Sequence, residues 1–362
     1  MWRVSGVNAH ERVVVACLVA VGALAWLRLR SPAAVPAIND DDVAEDANAE
    51  LQARLGEAVK WFHAHGARRT IASSDGQHDI PTWTFAGQRS QGPVLLMLTG
   101  WSESAERYCD IVHELAPLFS HVVVIDHRSQ GSSRKTDPFK SHVDSFECFI
   151  DDAALVVDRV ALPLVAPGSQ LVLFGFSMGG LVAAYLAARR SHDIDGLILV
   201  APALEVKTGW PPAVLGALLT VATLLGFGRA FVPGHPSSMD GTLRMPPLSR
   251  TSSSTTRMQF YQQLRQAQLA HVVNGMSVRH LRELVAWRFT DFAAIKQQQV
   301  LVLTAAKDEF VENAAVGAFV AALGAAQCRH VHYLDAKHEI LHERESIRAE
   351  AMAEIKRFVL GS

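Results

Sequence analysis

From residue 69 onward the chain alternates short β-type runs with longer stretches of helical periodicity, the pattern of a mainly parallel sheet linked by crossover helices. Strands are predicted at 79–85, 94–99, 121–126, 170–176, 196–201, 300–304 and 329–334. The runs Val94-Leu95-Leu96-Met97-Leu98 and Leu171-Val172-Leu173-Phe174 carry no polar alternation, so both of their faces should be covered, as in central parallel strands. Helices are predicted at 104–119, 145–162, 178–190, 313–323 and 341–358.

One stretch interrupts the alternation. Between 204 and 293 there is no strong strand, only helical and loop-like pieces, and it reads as a helical cap inserted into a core formed by 51–203 and 294–362. Its first part, 210–227, is uncharged and rich in Leu, which suits either a buried helix pair or a lid that binds an acyl chain or dips into a membrane. Its later part, 237–256, is polar and rich in Ser, Pro and Arg.

At the other end, 13–27 carries no charge and is flanked by Arg12, Arg28 and Arg30, so residues 1–30 are expected to be a signal anchor. The rival readings are a signal peptide cleaved near Val35-Pro36-Ala37 and a plain buried helix. Residues 31–50, with the run Asp40-Asp41-Asp42 and no apolar periodicity, read as a tether.

Charge narrows the function. With 34 Lys plus Arg against 36 Asp plus Glu the net charge is -2, and no basic stripe recurs, so a nucleic-acid partner is not expected. Four scattered cysteines without a CxxC pair suggest neither a disulfide framework nor a zinc knuckle.

The chemistry concentrates at Gly175-Phe176-Ser177-Met178-Gly179, a GxSxG turn between an apolar strand and a helical run. A nucleophilic hydroxyl must be lifted off the sheet on a tight turn, and small residues two before and two after it let strand and helix approach. Serine also needs a base. His338 follows the strand predicted at 329–334, and Asp308 follows the one at 300–304, the chain order Ser, Asp, His that such a turn calls for. Ser177 is therefore the candidate nucleophile, His338 the base and Asp308 the acid that orients it, with Glu309 expected to point elsewhere. The oxyanion should be met by the backbone amides of Met178 and Trp101. The Trp101 ring itself reads equally well as a core or cap contact, and the turn 126–133 as a structural loop near the site.

A competing motif overlaps the histidine. His338-Glu339-Ile340-Leu341-His342 is an HExxH, the zinc signature of metallopeptidases, with Glu343, Glu350 or Glu354 available as a third ligand. That motif requires both histidines inside one helix, whereas His338 is expected on a strand-to-helix loop. A zinc site also leaves the serine turn and the acid loop unexplained, so no metal or other cofactor is predicted.

These residues resemble the monoglyceride lipase and lysophospholipase branch of the α/β-hydrolases, most closely the bacterial membrane-associated lysophospholipases. The likeness runs from about Arg69 to the end and rests on Gly175-Phe-Ser-Met-Gly-Gly180, Asp126-His-Arg-Ser-Gln-Gly-Ser-Ser133, Lys307-Asp-Glu-Phe-Val-Glu-Asn313 and Lys337-His-Glu-Ile-Leu341. In that branch Glu follows the triad histidine, so the HExxH is family sequence plus a chance His342. Ser129 stands where the family usually has glycine, and Thr99-Gly100-Trp101 replaces its common His-Gly pair. The resemblance implies an α/β-hydrolase fold and hydrolysis of one acyl ester in an amphiphilic lipid, first a lysophospholipid. Alternatives are a monoacylglycerol lipase or general carboxylesterase, and a non-catalytic membrane scaffold of the same fold.

Overall fold

The computed structural model describes residues 49–133, 140–232, 250–268, 271, 273, 275–295 and 298–361. The run 13–27 and nearly all of the expected tether lie outside them, as does 233–249 within the expected cap. Among the described residues no helix is long and apolar enough to cross a membrane.

Eight strands form the main sheet: β1 (Ala67–Ala72), β2 (Asp79–Ala86), β3 (Val94–Leu98), β4 (His121–Ile125), β5 (Leu171–Phe176), β6 (Gly196–Val200), β7 (Gln299–Ala305) and β8 (Cys328–Tyr333). Their order is β1-β2-β4-β3-β5-β6-β7-β8, with β2 antiparallel to both neighbours and every later pairing parallel. Every residue of β3, β5 and β6 is buried, as their unbroken apolar runs predict. One face of the sheet packs into a core containing Leu96, Val123, Leu173 and Val302, and the other into one containing Met97, Val124, Phe174 and Leu303. Each strand thus feeds two separate cores through its alternating side chains.

Several predicted helices are shorter than their periodicity. The run 104–119 splits into the 3-10 turn Ala105–Tyr108, the helix Cys109–Leu115 and a second 3-10 turn, Ala116–Leu118. Pro117 has no amide to return to His113, so the α-helical ladder ends there. The run 145–162 is helical over Glu147–Val156 and then loosens into a π turn and a 3-10 turn around Pro163. The last helix starts later than predicted, at Glu345–Leu360, behind the 3-10 turn Ile340–His342. The first two described elements were not predicted. The helix Ala49–His65 begins where the tether was drawn, and β1 carries Arg68, Arg69 and Thr70 exposed on an edge.

Between β6 and β7 lie the helices Pro212–Ala222, Thr255–Ala267 and Val278–Ala286. The first packs on the third through Leu219, Ala222, Val278 and Val285. The middle one is fixed to the core. Arg257, fully buried, donates to Asp110 (2.7 Å) and Glu345 (2.8 Å), while Tyr261 donates to Asp110 (2.8 Å).

Candidate active site

The parallel strands end along one edge of the sheet, and the loops leaving them bring together side chains far apart in sequence. This is the edge where open α/β sheets hold ligands. Ser177 follows β5 directly and has φ 51 and ψ -117, a conformation that costs a non-glycine residue on the order of 1–3 kcal/mol. Surrounding packing holds it there. Its amide donates to the Val200 carbonyl (3.1 Å), and its carbonyl accepts from Gly180 and Ala203 (both 2.9 Å). A Cβ on Gly175 would lie 2.6 Å from the Gly179 carbonyl, and one on Gly179 would overlap the Leu98 and Thr99 carbonyls. These two glycines let the helix Met178–Arg189 sit against β3 and β5.

His338 lies with its Nε2 2.9 Å from the Ser177 hydroxyl and its Nδ1 2.7 Å from the Asp308 Oδ2. The other Asp308 oxygen accepts from the amides of Phe310 (2.7 Å) and Val311 (3.0 Å). Burial pushes the Asp308 carboxyl up, but the His338 contact and the two amides outweigh it and leave it below its ordinary value. An ionised carboxylate only accepts, so Nδ1 carries the ring proton, Nε2 accepts, and the serine hydroxyl donates. The imidazole is held between Phe176 and Phe310, with ring centroids 5.0 Å and 5.1 Å away, and both His338 and Asp308 are buried. Glu309 points away, to Arg250 (2.6 Å).

Met178 stands at the first position of its helix, where a backbone amide has no partner within the helix. Trp101 lies on the loop after β3, whose path is fixed on both sides. The Gly100 amide donates to Glu103 (2.8 Å) and the Tyr108 hydroxyl (3.2 Å), and the Ser102 amide to the Gln130 side chain. The Trp101 indole donates to Ser141 (2.9 Å), in the two-residue strand Lys140–Ser141 that pairs with Gly275–Met276. The ring itself packs against the core.

The turn 126–133 does more than close a loop. Asp126 accepts from the Ala105 amide (2.6 Å) and from Ser132 (2.7 Å), and Gln130 reaches the Ser102 amide, so this turn braces the loop that carries Trp101. Ser129 has φ 53, the left-handed region where glycine is favoured, and its hydroxyl donates to the His142 carbonyl (2.8 Å) while accepting from the His142 amide (2.9 Å). Those bonds account for a serine at a glycine position.

Sequence reasoning also missed Arg107. It forms buried ion pairs with Glu103 (3.0 Å) and with Glu339, tying the loop after β3 to the residue beside His338. Burial would raise the Glu339 carboxyl, but Arg107 and then His342 hold it well below the usual carboxylate range. No local signal marked this pair, since its members are 232 positions apart.

The HExxH has no metal-site geometry. Both ring nitrogens of His338 are engaged, and His342 lies in a single 3-10 turn rather than one helical turn further along a common helix. Glu343 accepts from the amides of Ser253, Lys337 and Arg344, Glu354 is bound to Arg329, and Glu350 is exposed.

The fold and this constellation define a serine hydrolase of the α/β-hydrolase type. The family described as Serine aminopeptidase, S33 (Hydrolase_4) matches residues 90–345, and the chain belongs to it. Among curated proteins it is 25% identical over 268 residues to "Probable lysophospholipase L2" of Haemophilus influenzae, covering 74% of this chain and 83% of that one. It is 28% identical over 178 residues to lysophospholipase L2 of Escherichia coli, spanning 48% of each, and 30% identical over 158 residues to mouse monoglyceride lipase, spanning 43% of this chain and 49% of that one. Among solved structures, a soluble variant of Saccharomyces cerevisiae monoglyceride lipase superposes with a TM-score of 0.64 at 15% identity, covering 82% of this chain and 95% of that one. A thermostable Bacillus coagulans carboxyl esterase gives 0.63 at 16% identity, covering 82% and 98%.

Proposed function

We propose that the chain is a lysophospholipase that uses Ser177, His338 and Asp308 as a catalytic triad. Ser177 attacks the ester carbonyl as His338 takes its proton, and His338 returns that proton to the departing glycerol oxygen. Water, deprotonated by His338, then cleaves the acyl-enzyme and releases a fatty acid. Asp308 holds the imidazole tautomer, and the amides of Met178 and Trp101 receive the oxyanion in both steps. The unbroken chain from the Ser177 hydroxyl through His338 to Asp308 is the observation that carries this chemistry.

A lipid substrate is supported by the segment 204–293, which we take to be a cap. Its helix Pro212–Ala222 and the turn after it leave Val214, Leu218, Val221 and Leu224 exposed, the last at 72%, an apolar stripe suited to acyl chains or a bilayer. Similarity to two lysophospholipase L2 proteins points the same way. We further propose that the run 13–27 anchors the chain at a membrane. Monoacylglycerol hydrolysis is the second reading, favoured by the similarity to mouse monoglyceride lipase. A panel of lysophosphatidylcholine, monoolein and 4-nitrophenyl butyrate tests the assignment. The long-chain amphiphiles should be preferred, and a preference for the short soluble ester would contradict a lipid substrate.

A further inference from the structure

A small cavity opens beside the loop that carries Trp101, walled by Ser102, Glu103, Arg107, Arg265, Gln268 and His271. Its two guanidinium groups are in different states. Arg107 is matched by Glu103 and Glu339, and Glu103 also accepts from the Gly100 amide and Tyr108. Arg265 has no carboxylate within ion-pair distance among the described residues. Its Nη2 donates only to neutral oxygens, the Ser102 hydroxyl (3.3 Å) and the Val273 carbonyl (3.2 Å), and its Nε is buried without a partner. Burial, and after it the like charge of Arg107, pull the Arg265 guanidinium down to about 10, so it is still a cation at neutral pH.

A cation that lines a cavity without a carboxylate partner is a receptor for an anion. Its Nε is shielded, so the Nη end of the planar guanidinium is what the oxygens of a phosphoryl group would meet. Its position also suits the substrate. Ser102, which Arg265 contacts, follows Trp101 directly, and consecutive Cα atoms lie about 3.8 Å apart. The Nη end of Arg265 is therefore on the order of 10 Å or less from the amide assigned to the oxyanion, a separation that the glycerol unit of a lysophospholipid bridges between ester and phosphorus.

We propose that Arg265 reads the headgroup, taking the phosphoryl oxygens of a lysophospholipid in the cavity beside the oxyanion loop. This rests on the ester-hydrolase reading above and sharpens it, since a monoacylglycerol has nothing to place there. The competing role for Arg265 is mechanical support of Ser102, which would affect every ester alike.

The experiment compares 1-oleoyl lysophosphatidylcholine with 1-monooleoylglycerol, which share acyl chain and ester, in identical mixed micelles. Parent, Arg265→Gln and Arg265→Lys are measured, with thermal midpoints recorded for each. Loss of charge-assisted hydrogen bonds to phosphate should lower the ratio of kcat/KM for the lysophospholipid to that for the monoacylglycerol about 10- to 100-fold in R265Q, chiefly through KM. Lysine, which keeps the charge without the planar guanidinium, should restore part of it. Equal losses on both lipids would overturn the proposal in favour of loop support. A parent active on monooleoylglycerol alone would overturn it while leaving the serine-hydrolase reading intact, and a parent inactive on both lipids would remove the lipid reading on which it rests. Inorganic phosphate provides the last arm. Stabilisation of the parent but not of R265Q by phosphate, with an unmoved substrate ratio, would assign the cavity to free phosphate and overturn the headgroup assignment.

Discussion

Replacing Asp308 with Asn tests the proposed division of labour at the site. The carboxylate has two distinct oxygens: one accepts from the amides of Phe310 and Val311, and the other faces His338 Nδ1. In D308N the amide oxygen is held at the first position, because only an acceptor satisfies two backbone N–H groups. The new NH2 then points at Nδ1 and donates to it. The imidazole must shift its proton to Nε2, which lies 2.9 Å from Ser177, so it presents a donor where a base is required. The expected loss in kcat is about 10⁴-fold, the size seen when a triad carboxylate is made neutral without moving it. That equals about 5.5 kcal/mol of transition-state stabilisation. Steady-state hydrolysis of 4-nitrophenyl butyrate by parent and variant, with thermal unfolding showing both folded, reads it directly. A D308N variant that keeps a tenth of the parent kcat would refute the tautomer argument.

Two further predictions concern stability. Arg257→Met removes a buried guanidinium from Asp110 and Glu345 but leaves Asp110 with Arg348 (3.2 Å) and Tyr261. Because partners remain, the loss should fall below the 3–5 kcal/mol of a broken buried pair, at about 2–3 kcal/mol, seen as a lower urea midpoint with unchanged slope. An unchanged midpoint would show that the helix Thr255–Ala267 is not anchored through this residue. Acid should also weaken the fold. Asp110, Glu339 and Asp308 all lie below their ordinary values in the native state, so each contributes stability that is complete above the usual carboxylate range and is lost as pH falls through and below about 4. Urea midpoints should begin to fall between pH 7 and pH 6, because burial holds His127 down to about 4 and it resists protonation there, and should drop steeply by pH 3; a flat profile would contradict the shifts.

What was legible in the sequence follows from how local each signal is. The central strands β3, β5 and β6 announce themselves because burial on both faces demands an unbroken apolar run. Ser177 stood out because it directly follows β5, and Asp308 and His338 because they lie on the loops after β7 and β8 in the chain order that the serine turn calls for. The edge strand β1 was not, since four of its first five residues face solvent and nothing apolar marks them. One helix length failed where Pro117 ends a ladder that periodicity alone would continue, and another where the backbone slips into a π turn after Val156. Arg107, Gln130 and Arg257 were invisible for another reason. Each acts by reaching a partner that the fold alone brings near, and an isolated arginine or glutamine in a sequence reads as surface.

The nucleophile carries the rest of the account, and an active-site-directed fluorophosphonate reports on it most directly. The parent should take up one equivalent of probe on a peptide containing Ser177, and S177A should take up none while unfolding at a similar temperature. Labelling that survives in S177A, or that maps to another serine in the parent, would contradict it.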